Sequence, residues 1–170
     1  MSVETLKEEG IKKDEVTVVE VFKDIAEFSK KEIRDIIDGI QSEVEGQDQL
    51  DIPVTHYFSK DVYAREVKIP AGTIVVGKIH KFENLNILSK GDISLLSIDG
   101  VQRVQAPFTV VSSPSVKRVA YTHTDCVWTT IHGTDERDVD KIEEKFIAKS
   151  YEEIEEKLID LVKEEKLCLG

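Results

Sequence analysis

Residues 84–105 read NLNILSKGDISLLSIDGVQRVQ, and this stretch decides the fold. Asp99-Gly100, set between Ile98 and Val101, is the strongest hairpin signal in the chain, because a two-residue turn of the primed type needs positive φ at its centre. Ser89-Lys90-Gly91 punctuates the chain upstream, so Asn84–Leu88, Asp92–Ile98 and 101–105 read as three consecutive strands. Working outward, Tyr63–Ile69 alternates, Thr73–His80 follows the turn Pro70-Ala71-Gly72, and further strands are expected at 108–112, 116–121 and 126–132. From Ile52 to His132 no helical stripe competes. About eight short strands at this spacing predict a sandwich, jelly roll or small barrel.

Helical flanks enclose this β core. Ser29-Lys30-Lys31-Glu32 is a capping box, and Ile33, Ile36, Ile37, Ile40 and Val44 recur on one face, so a helix is expected over about 30–45, ended by Gly46. Val16–Phe22 fits a strand or a buried helix face equally well. After Gly133-Thr134 a helix is expected with Val139, Ile142, Phe146 and Ile147 on its apolar face. Ser150–Glu153 restarts it, and Ile154, Leu158, Leu161 and Val162 extend the stripe to about Lys166. The chain thus divides into an N-terminal helical flank (1–50), a β-barrel (51–133) and a C-terminal helical flank (134–170). The acidic helices carry no catalytic pattern; packing against the barrel or a neighbouring subunit explains them.

The 170 residues carry 34 acidic and 23 basic side chains, a formal charge of -11. Divided at residues 50 and 133, the charge is -7, +2 and -6, so the β segment is cationic between acidic flanks. All four histidines and all four prolines lie in that segment. The acidic total speaks against a duplex nucleic-acid surface, which needs a concentrated basic face, but not against a small anion in a basic pocket. No apolar run approaches the ~18 residues of a membrane span, and the N-terminus lacks the apolar core of a secretory signal. A cytoplasmic location is expected. Cys126 and Cys168 lack metal-clamp spacing, and no disulfide is expected.

The run Pro70-Ala71-Gly72 … His80 … Asn84-Leu85-Asn86-Ile87-Leu88-Ser89-Lys90-Gly91-Asp92 resembles the first motif of the cupin family. The resemblance implies a mainly β, cupin-like jelly roll or double-stranded β-helix core with flanking α-helices at both ends. It also implies a metal held by three histidines and a glutamate. Counted back from Gly91, the glutamate position falls on Asn84, the second histidine on His80 and the first on Lys78. The second motif corresponds to Ser112–Val119, where the expected histidine falls near Arg118 or Val119. Cations at Lys78 and Arg118 repel a divalent ion by Coulomb's law, so no metal, no cofactor and no catalytic residue is expected. Pro70 through Asp135 further resembles a small cupin-like protein of tailed bacteriophages. Some compact phage proteins act as sponges, sequestering the cyclic nucleotide messengers of bacterial antiviral defence.

Alternation tests that idea on the residues. Cys126, Trp128, Thr130 and His132 share one face of their strand, and Lys78 and His80 share a face of theirs. An interior lined by Lys78, His80, Asn84, Arg118, Trp128, Thr130 and His132 needs an anion to compensate its charge. Lysine and arginine, with Lys117 beside Arg118, would hold phosphate. Trp128, Tyr121 or Tyr57 would stack on a base, and Asn84 or Thr130 would read its edge. The expected partner is a small anionic nucleotide, foremost a cyclic dinucleotide, bound without catalysis by a homo-oligomer. Three alternatives stand beside it. The side chains face solvent at a barrel mouth, with Trp128 a core residue; or the chain is a metal-dependent cupin enzyme using His80 with His123 or His132; or it is a structural module of the virion.

Overall fold

The computed structural model describes residues 10–12, 25 and 28–155. The elements in order are β1 (Gly10–Lys12), α1 (Lys30–Glu45), β2 (Val54–Ser59), β3 (Val62–Ile69), β4 (Thr73–Val76), β5 (Ile79–His80), β6 (Asn84–Lys90), β7 (Asp92–Ser97), β8 (Gly100–Gln105), β9 (Phe108–Ser112), β10 (Val119–Thr122), β11 (Cys126–His132), α2 (Val139–Phe146) and β12 (Ile147–Ala148). The expectations for Val16–Phe22, for Leu158–Lys166 and for Cys168 fall outside the described residues. Among the described residues no helix is long and apolar enough to cross a membrane.

Two five-stranded antiparallel sheets form the body, in the orders β1-β4-β10-β7-β8 and β2-β3-β11-β6-β9. The pairings β3·β11, β4·β10, β6·β9 and β7·β8 nest inside one another, as in one long hairpin. That hairpin is rolled up so that β11 also pairs β6, and β10 also pairs β7. Nested pairing of this kind is the strand order of a jelly roll, or double-stranded β-helix, and it closes the core without a long exposed edge. Val67, Ile69 and Leu88 of the second sheet meet Ile93, Leu95 and Val104 of the first in the core between the sheets.

The decisive stretch forms its three strands, but the hairpin turn falls one residue earlier than expected. Ser97 pairs with Gly100, so the turn is Ile98-Asp99, and Gly100, at φ 104°, opens β8. Gly91 turns the chain from β6 into β7 at φ 105°, where a Cβ would lie 2.5 Å from Cys126 Sγ and 2.6 Å from the Asp125 carbonyl. Only glycine fits there.

Two expected strands are shorter than their sequence suggests. Thr73–His80 breaks at Gly77-Lys78, where Gly77 N–H leaves the ladder to donate to the Arg118 carbonyl at 2.8 Å. The strand expected from residue 116 begins at Val119, because Ser115 takes φ 67° and donates its N–H to the His80 carbonyl at 2.9 Å. β2, an edge strand paired only with β3, was not marked off in the sequence because its turn at Lys60-Asp61 lacks glycine; Asp61 takes positive φ instead.

The helices close two sides of the roll. Ser29 and Glu32 cap α1 reciprocally, and Ile33, Ile37 and Val44 are buried on it. They pack on Ile74, Val76, Leu96, Val119 and Tyr121, the outer face of the first sheet. Asp138 caps α2, whose Ile142 and Phe146 cluster with Tyr63 at one end of the barrel. The first helix, expected to include Ile147, ends at Phe146, because Ile147 and Ala148 pair with His80 and Ile79 of β5. Helix resumes at 151–155, where the Glu153 carboxylate accepts from the Lys149 N–H at 2.8 Å.

Candidate functional site

A cavity of about 140 Å³ opens between the sheets at the end roofed by α2. The first sheet lends it Val75, Ile93, Leu95 and Ala120, and the second Val67, Ile69, Trp128 and Thr130. α2 and the residue after it supply Val139, Ile142, Glu143, Phe146 and Ile147. At roughly 10–15 Å³ per water on this measure, it has room for about ten water molecules.

Lys78, His80, Asn84, Arg118, Trp128, Thr130 and His132 all line this one space. Lys117 and Tyr121, expected beside them, do not. Lys117 is buried against α1, its Nζ 2.7 Å from Asp38 Oδ1, so it fastens the helix to the roll. Tyr121 alternates with the cavity-lining Ala120, faces the α1 cluster and meets His123 edge-on at 5.0 Å. Tyr57 lies on the outer face of the second sheet, half exposed. His123, with its Nε2 2.8 Å from Ser94 Oγ, is absent from the cavity lining.

His56, Arg65, Asn86 and Glu143 also line the cavity and were not singled out in the sequence. For Arg65 a signal existed: it shares a strand face with Tyr63, Val67 and Ile69, and a guanidinium in an apolar row marks a charge carried inward. Glu143 gave none, since its acidic helix reads as a solvated face.

The cavity has a polar floor. Asn86 Oδ1 accepts from Trp128 Nε1 at 3.1 Å and from Thr130 Oγ1 at 2.8 Å. Its Nδ2 donates to Asn84 Oδ1 and to Ser112 Oγ, each at 2.7 Å. All four hydrogen-bonding positions of this buried amide are filled, which locks the Trp128 ring. Asn84 and Trp128, expected to meet a base directly, are therefore also structural: Asn84 serves the network and Trp128 packs on the core cluster.

Charged side chains border this floor, Arg65 as the cross-strand partner of Thr130. Lys78, Arg65 and Arg118 face a single lining carboxylate, Glu143, leaving a net charge of +2 while the imidazoles are neutral. Lys78 Nζ is 2.7 Å from Glu143 Oε1. The Arg118 guanidinium makes no hydrogen bond or ion pair among the described residues, and burial pushes its pKa down against the pull of Asp99. His80 and His132 stack with centroids 5.1 Å apart, and His132 stacks on Phe146 at 4.3 Å. Burial pushes His80 down to about 3, aided by His132 and the neighbouring cations, and burial alone pushes His132 down to about 4. Both are neutral at pH 7, and the Nδ1 atom of each is buried without a protein partner.

A cupin metal does not fit these donors. Where the family pattern has a glutamate the chain has Asn84, whose amide is committed to Asn86 and the Phe82 carbonyl. Lys78 stands at a second position of that pattern, and Arg118 or Val119 at a third. Among the described residues no group of three or more His, Cys, Asp or Glu is placed to hold a metal ion. Cys126 is buried, and burial pushes its thiol up to about 11, well away from a thiolate.

No family model matches the chain, and no curated protein matches it. Solved structures similar to it are cupin-like. One is an acetylacetone dioxygenase from Acinetobacter johnsonii, at 16% identity and TM-score 0.40, covering 49% of this chain and 60% of that one. A cupin-like protein from Thermotoga maritima has 13% identity and TM-score 0.43, with 50% and 69% covered. An RmlC-like cupin with a double-stranded β-helix fold from Methanocaldococcus jannaschii has 14% identity and TM-score 0.43, with 52% and 85% covered. The chain thus spans about 60% of the dioxygenase's length. The jelly roll itself rests on the strand order, and activity does not follow from fold.

Proposed function

We propose that this protein binds a small anionic nucleotide in the barrel cavity and sequesters it unchanged. The observation that carries the proposal is Arg118, a half-buried guanidinium that makes no ion pair among the described residues and feels Asp99 only at a distance, on a cavity wall of net charge +2. An anion supplies the missing compensation, and an arginine fork suits phosphate or carboxylate. The apolar side of the cavity, with Trp128, accommodates a flat ring, and the buried Nδ1 atoms of His80 and His132 gain partners from a polar ring edge.

Size refines the ligand. Room for about ten waters admits one base or one phosphate with part of its sugar. A cyclic dinucleotide enters with one half only, its second half remaining at the mouth. For a protein that works by capture, slow release matters more than turnover. Removal of a signalling nucleotide is also the role that the resemblance to phage sponges suggests, namely relief of a host's nucleotide-triggered defence.

The test is calorimetry of the full chain against cyclic dinucleotides, linear mononucleotides and inorganic phosphate, with chromatography of the recovered ligand. Binding by at least one nucleotide, returned unaltered and weakened at least tenfold by Arg118→Met, is the expected result. Flat titrations across the panel, or a chemically changed ligand, overturn the proposal.

A further inference from the structure

The outer faces of the two sheets are treated differently. α1 covers the first; among the described residues no buried hydrophobic cluster reaches the outer face of the second. The registers define what that second face presents. Tyr57, Ala64, Ile131, Leu85 and Val111 are mutual partners across β2, β3, β11, β6 and β9, so they form one unbroken apolar row. The next row is Thr55, Glu66, Thr129, Ile87 and Thr109. Ten positions thus carry one charge, in a chain of which 34% is charged. Tyr57 is 50% exposed and Val111 56%. Contiguous apolar surface depleted of charge marks an interaction site.

We infer that this face joins two copies of the chain, sheet against sheet, in a two-fold dimer. The described ends of the chain lie against the first sheet and its helix: β1 pairs with β4, Ile25 packs in the α1 cluster, and Glu155 pairs with Arg34 of α1 at 3.5 Å. The area suffices: five strands about 4.8 Å apart and about 20 Å long give a footprint of roughly 500 Å² per copy, about 1,000 Å² for two, the lower bound of a specific interface. Sheets stack about 10 Å apart with their side chains interdigitated, and a single isologous patch closes the assembly at two. The two rows carry a single charge, Glu66, while Lys68 and Lys90, the partners of Val127, border them, so charge rims the apolar rows without entering them.

Light scattering coupled to size-exclusion chromatography, at tens of micromolar full-length protein, tests this. The expected mass is twice the 19.2 kDa of the chain. Tyr57→Lys with Val111→Lys halves it while leaving the circular dichroism spectrum of the folded chain unchanged, and Thr109→Glu, in the neighbouring polar row, does the same on its own. Val101→Lys, at an exposed apolar position of the other sheet, leaves the mass doubled. A wild-type mass of one chain overturns the inference. So does a doubled mass that survives the face substitutions, or one lost through Val101→Lys.

Discussion

His80 and His132 occupy positions where a charge is expensive, and the consequence can be measured without any ligand. Both have folded pKa values, about 3 and about 4, below the ordinary value near 6.5. Between those limits the unfolded chain binds protons that the folded chain does not, so stability rises with pH. The contribution is fully present above pH 6.5 and is lost as pH falls toward 3. Urea unfolding between pH 7 and pH 4 should show a decline on the order of 1–3 kcal/mol per histidine. His132→Phe should flatten that slope. An unchanged slope would mean that the imidazole is charged, or exposed, in the folded protein.

At the level of elements, α2 joins the barrel wall to its electrostatics. Glu143 already occupies Lys78, so an incoming anion competes with a carboxylate the protein carries itself. Glu143→Gln should therefore tighten anion binding about tenfold, roughly 1.4 kcal/mol, as read by calorimetry with whichever nucleotide binds. Weaker binding would show that Glu143 helps to hold the ligand. The same helix shows how legibility divides. α1 was readable to the residue because its cap, stripe and stop are local signals. In the C-terminal flank the restart at Ser150 was readable from its capping box, but the end at Phe146 was not, because it comes from pairing with β5, more than sixty residues earlier in the chain. Lys117 was misplaced for a similar reason. Beside Arg118 in sequence it looks like half of a basic pair, but its neighbour in space is Asp38, seventy-nine positions away. His80 and the Trp128 face were legible because strand alternation fixes sidedness once the strand is known, whereas Arg118, just ahead of β10, was reached only through the resemblance to the cupin motif.

At the level of the molecule, the local charge of the cavity opposes the total. A chain of formal charge -11 repels an anion at a distance, while a cavity wall of +2 attracts it on arrival. Raising ionic strength from about 10 mM to about 150 mM shortens the screening length from about 30 Å to about 8 Å, which removes the distant repulsion first. Stopped-flow association rates should thus increase with salt over this range, the reverse of steering by a basic surface. A falling rate would place the binding site on a face of net positive potential. The segmental charge visible in the sequence foretold a cationic middle, though not that three of its cations line one space.

The roof of the cavity lies outside the rolled hairpin. Ile142, Glu143 and Phe146 follow the last strand of the roll, yet they set the depth, polarity and end wall of the chamber. A descendant of this chain could acquire a different appetite by rewriting eight residues of its tail, leaving every strand untouched. The barrel in that sense is the vessel, and the segment after it the stopper that decides what the vessel will hold.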